Sequence, residues 1–80
     1  MDGSSFSRAL LFAVASAREA IEKHGPESVP FAAQGARLAI LVEEVGEVAK
    51  AINEHDPGLR AELAQVAAVA LLWLAATGEP

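Results

Sequence analysis

Eighty residues with a net charge of −5, 52% apolar side chains and no cysteine describe one small domain. The missing cysteines exclude disulfides and thiolate zinc sites, and the acidic balance argues against a nucleic-acid backbone as main partner, which needs clustered Lys and Arg. So short a chain buries little surface, and His24 and His55 stand alone without ligand spacing, so self-association is the expected source of stability.

Helical periodicity accounts for nearly the whole chain. The first helix is expected over residues 5–24, where Phe6, Leu10, Ala13, Val14, Ala17 and Ile21 recur at helical spacing. Gly25-Pro26 ends it. Within it, residues 9–17 (ALLFAVASA) have the apolar character of a signal-peptide core, and Ala15-Ser16-Ala17 has the form of a cleavage site. The preceding residues offer Asp2 against a single Arg8 rather than a basic stretch, and cleavage would discard a helix the domain needs. The expected location is the cytoplasm. A second helix is expected over residues 31–54, with a stripe of Leu38, Leu41, Val45, Val48 and Ile52. Asp56 as N-cap and Pro57 as first helical residue open a third, expected over residues 57–77 and closed by Gly78. Its stripe is Leu59, Leu63, Val66, Ala70 and Trp73, on which Trp73 is expected to pack rather than to stack a base. The uncharged residues 63–78 contain Gln65 and are shorter than a membrane span, so a buried helix and no membrane association are expected. His55 is expected to be solvated in the turn.

The polar residues beside these stripes carry the chemistry. Glu44 and Glu47, three apart, project from one side of the second helix, about a quarter turn from its stripe. Glu62 and Gln65 interrupt a face of the third helix otherwise made of Val69, Leu72 and Ala76. A carboxylate on such a face is costly to bury unless its pKa rises, a basic partner meets it, or a cation binds. Basic residues are scarce, and converging carboxylates repel one another unless a hard divalent ion accepts their oxygens. Oxygen ligation without His or Cys points to Mg²⁺ or Mn²⁺. Such an ion would also let an acidic chain bind a nucleotide. Against this stands the ordinary occurrence of EExxE runs on solvated helices.

The stretch 41–52 (LVEEVGEVAKAI), followed by 62–70 (ELAQVAAVA), resembles the MazG-like nucleoside triphosphate pyrophosphohydrolases. That family is all-α, with an ExxE pair on one helix and an ExxD pair on the next. Glu44 and Glu47 match the first pair, and Glu62 with Gln65 matches the second in all but its last residue. The resemblance implies an all-α, three-helix protomer over residues 1–80 that forms a helical bundle as a dimer or dimer of dimers. It further implies Mg²⁺-dependent (Mn²⁺ possible) hydrolysis of a nucleoside triphosphate to the monophosphate and pyrophosphate. Glu44, Glu47 and Glu62 would be catalytic and, with Gln65, would hold the metal.

Gln65 departs from the family pattern, because it supplies a carbonyl oxygen but no charge. The alternative is therefore a catalytically weakened MazG-like module that binds a nucleotide or a protein. Lys50 and Asn53 are the substrate-binding candidates, with Arg60 and Lys23 as further local cations. An oligomeric bundle with a merely solvated acidic face is the remaining possibility.

Overall fold

The computed structural model describes residues 2–24 and 34–78, and in them the chain is all-helical. The order is α1 (Gly3–His24), α2 (Gln34–Asn53) and α3 (Leu59–Ala76). Residues 31–33, where the second helix was expected to begin, lie outside the described residues.

Helix α1 starts two residues earlier than periodicity alone suggests, because Asp2 caps it. The Asp2 carboxylate accepts a hydrogen bond from the Ser5 backbone N–H at 2.7 Å, which satisfies one of the donors a helix start leaves open. That bond holds the Asp2 carboxyl below its ordinary pKa. Arg8 reaches back to the Ser4 hydroxyl at 2.7 Å and ties down the same turn.

Helix α2 ends in a Schellman motif. The Asp56 N–H donates to the Ala51 carbonyl at 2.8 Å and the His55 N–H to the Ile52 carbonyl at 3.2 Å. His55 occupies the left-handed position with φ 52°, where glycine is the usual residue, and it is exposed as expected. The Asp56 side chain then accepts from the Gly58 N–H at 2.7 Å, as an N-cap does, although regular helix begins only at Leu59. Gly78, at φ 90°, follows the last turn of α3 as its position suggested.

Helix α3 lies between the other two, and α1 and α2 do not approach one another. Against α1 it runs parallel: the Arg60 guanidinium sits over the Phe12 ring at 5.0 Å, and further along Ala68 and Leu72 pack on Ala17 with Ala20 beside them. Against α2 it runs antiparallel: the Trp73 indole N–H donates to the Gln34 Oε1 at 2.6 Å at one end, and Glu62 meets Glu44 further along. Trp73, half-buried, thus joins the two helices through its indole N–H.

The core differs from the apolar stripes. Among the described residues the buried apolar ones are Ala13, Ala17, Ala51, Ala64, Ala68 and Leu72, and no large side chain is fully buried. On α3 the inward line is Ala64, Ala68 and Leu72, at helical intervals of four, while Leu63 on the expected stripe is 52% exposed. On α2 the side toward α3 carries Arg37, Glu44 and Ala51, while Leu38, Val45 and Ile52 point outward. Small residues let helix axes approach closely, so the alanine lines were taken inside and the large aliphatic ones left out. By length and composition α3 is apolar enough to cross a membrane, although it carries Arg60 and Glu62 and packs against helices on two sides.

Candidate functional site

The acidic residues sit at the junction of α2 and α3. One turn of helix separates Glu44 from Glu47, and the antiparallel run of α3 sets Glu62 opposite Glu44. Glu44 and Glu62 are both half-buried, whereas Glu47 and Gln65 are exposed. Desolvation raises the pKa of the Glu44 carboxyl above its usual 4.5, and the charges of Glu62, then Glu43, then Glu47 add to the rise. The Glu44 carboxylate is therefore held where its negative charge is disfavoured by its surroundings and by three other acids.

The four residues do not converge equally. On ideal helical geometry Glu44 and Glu62 lie on the contact line, while Glu47 and Gln65 lie on one common side of the pair, displaced along the axis in opposite directions. Gln65 adjoins α1: with Ser16, Glu19, Ala20 and Lys23 it lines a small polar cleft of about 120 Å³. Among the described residues no three His, Asp or Glu side chains are gathered closely enough to hold one ion. What remains is a pair of oxygen donors with Glu47 one turn away. That fits Mg²⁺, which commonly takes one or two protein carboxylates and completes its shell with water and phosphate oxygens.

The cationic candidates are distributed differently. Lys50 and Asn53 are exposed, in the last turn of α2. Arg60 is turned to the α1 side of α3, over Phe12, on the far side from Glu62. Lys23 adjoins Gln65 in the polar cleft. Arg37 was not among the candidates, yet it is the most deeply placed charged residue described, at 4% exposure. It precedes Glu44 by seven residues and so shares the α3-facing side of α2, two turns away. The signal was present in that spacing, but the apolar stripe on the neighbouring side of α2 obscured which side faces inward.

Comparison with protein-family models, with curated proteins and with solved structures returns no significant match for this chain.

Proposed function

We propose that the α2–α3 junction binds a divalent cation, Mg²⁺ or Mn²⁺, between Glu44 and Glu62, and through it the phosphates of a nucleoside triphosphate. The reaction proposed is hydrolysis to the monophosphate and pyrophosphate, with Glu47 beside the ion. The observation that carries this is the opposition of Glu44 and Glu62 on two helices, with the Glu44 pKa raised by burial and by Glu62. Two acids facing each other across a helix junction cost stability unless something compensates them, and a bound cation does so directly. The resemblance of residues 41–52 and 62–70 to MazG-like enzymes supplies the reaction class. Bound there, the ion would gather the phosphate oxygens and polarise them toward an attacking water. Gln65 offers a neutral oxygen on the same side as Glu47, and Lys50 and Asn53 are the proposed substrate contacts. The protein is proposed to act in the cytoplasm as a homodimer or larger homo-oligomer.

A second reading rests on Gln65. An uncharged residue, exposed and set beside α1, adds no anionic ligand, so the junction would bind metal and nucleotide without turnover.

The test is incubation of the purified protein with each NTP and dNTP and Mg²⁺ or Mn²⁺, with pyrophosphate release measured. Release that disappears in Glu44→Gln and Glu62→Gln supports the hydrolase. No release with any nucleotide, while Mn²⁺ still raises the melting temperature, moves the assignment to the binding module. Absence of both overturns the site.

A further inference from the structure

Arg60 and Phe12 mark a second concave region, between α1 and α3 and apart from the acidic junction. Helix α1 contributes Ala9, Phe12 and Ala13 to it, and α3 contributes Arg60, Leu63 and Ala64. The cleft has a volume of about 520 Å³, within the roughly 300–1,000 Å³ of sites that take a small organic molecule. Ala13 and Ala64 are buried at its base, whereas Leu63, 52% exposed, stands at its rim. It follows residues 59–67 of α3, eight helical steps or about 12 Å. Its walls are apolar except at Arg60, whose guanidinium lies 5.0 Å from the centre of the Phe12 ring. Among the described residues no carboxylate pairs with that guanidinium and no acceptor takes its N–H groups. The ring face holds the cation in place without neutralising it and leaves its donors for an anion. The chain has 11 Asp and Glu residues, yet none of them lines this cleft.

We propose that the α1–α3 cleft binds a small amphiphilic carboxylate, of the class of medium-chain fatty acids, with its head on Arg60 and its tail along Leu63 and Ala64. Apolar walls with one placed polar group are the usual make-up of a small-molecule site between helices. A single guanidinium matches a single carboxylate in charge, and its fork can give two parallel N–H···O bonds. A phosphate monoester, with a charge of about −2, would be only half neutralised there. A neutral apolar compound would strip water from the guanidinium and replace none of its hydrogen bonds, which is costly. A helix of another protein fits less well. Its anchor residues span about two turns, and α1 lines the cleft only from Ala9 to Ala13, little more than one turn. The proposal is independent of the chemistry at the acidic junction, because Arg60 is turned to the other side of α3 from Glu62.

Isothermal titration calorimetry of the full chain tests this with decanoate below its micellar range, and with decanol and acetate as the tail and the head alone. Decanoate should bind at one site per chain, roughly tenfold or more tightly than either control. Arg60→Gln and Ala9→Leu, both at exposed positions, should each weaken decanoate binding roughly tenfold, the first by removing the charge and the second by narrowing the cleft. A methyl-labelled wild-type chain gives a reading that does not depend on how the variants fold. Decanoate should shift the Leu59 and Leu63 methyl signals and leave those of Leu38 and Leu41 on α2 in place. No uptake of decanoate, equal affinity for decanol, unaltered binding by a folded Arg60→Gln protein, or methyl shifts confined to α2 overturns the proposal. Binding of phosphatidylglycerol vesicles without decanoate binding, or Leu63 shifts that follow protein concentration alone, overturns it too and assigns the cleft to a lipid surface or a second copy.

Discussion

Along its contact with α1, helix α3 sets Ala68 and Leu72 against Ala17; along its contact with α2, it sets Glu62 against Glu44. The first junction is made of buried apolar side chains, mostly alanine. The second places two acids where one of them is partly desolvated, a few residues from the buried Arg37. A helix with so many aliphatic residues had apolar choices for both contacts. By presenting a carboxylate to α2, α3 makes this the junction where burial and like charge both work against ionisation, and the proposed cation would compensate it.

The contrast predicts different responses to substitution. The largest effect is expected at the alanine junction, where Ala68 is 1% exposed. Ala68→Leu has no space to enter and should cost about 2 kcal/mol, read from urea unfolding. A cost near zero would mean that α1 does not pack on α3 at that point. The acidic junction should respond to ions instead: Mn²⁺ at ten times its dissociation constant should add about 1.4 kcal/mol to the wild type. The same ion should add nothing to a Glu44→Gln/Glu62→Gln chain, and an equal gain in both would separate the ion from the junction.

Between the helices, His55→Gly relieves the left-handed backbone at the turn that joins α2 to α3. A gain of about 1 kcal/mol is expected in thermal unfolding, with Mn²⁺ binding unchanged, and a loss would show that the His55 side chain holds the turn. The smallest effect concerns protons. The folded chain raises the pKa of Glu44, so folding favours its protonated form. The favourable contribution is complete below the unfolded value near 4.5 and is lost as pH rises through the raised folded value. Glu44→Gln, which has no charge to lose, should therefore melt at or above the wild-type temperature at pH 7 without divalent ions. The difference should shrink toward pH 4.5. A variant that melts well below wild type at pH 7 would show that the Glu44 charge has a stabilising partner.

The three helices were legible because periodicity and end signals depend on local chemistry, and Gly78 follows α3 as its position suggested. The start of α3 was not: the expected Asp56 cap and Pro57 first residue lie in the turn, the cap is Gly58 without a side-chain bond, and the Asp56 carboxylate binds the Gly58 N–H inside that turn. Asp2 was overlooked as a cap because periodicity begins only at Phe6. Which side of each helix faces inward was not legible. Hydrophobic size favoured Leu38, Val45 and Leu63, whereas the fold buries Ala51, Ala64 and Ala68, since close helix approach selects for small residues. A hydrophobic pattern alone does not tell an inward stripe from an exposed one. For the site, spacing was enough to put Glu44 and Glu47 on one side of α2. The meeting of Glu44 with Glu62 depended on the antiparallel pairing of two helices through a five-residue turn, which the turn chemistry favoured. The position of Gln65 beside Ser16 and Lys23 depended on where α1 docks, and nothing local encodes that.

The most direct test of the acidic junction is a titration of Mn²⁺ into the purified protein, following the electron paramagnetic resonance signal of the free ion. Wild type should remove Mn²⁺ from solution at one site per protomer, and Glu44→Gln and Glu62→Gln should each abolish that uptake with helix content preserved. Equal uptake by wild type and both variants would contradict the account.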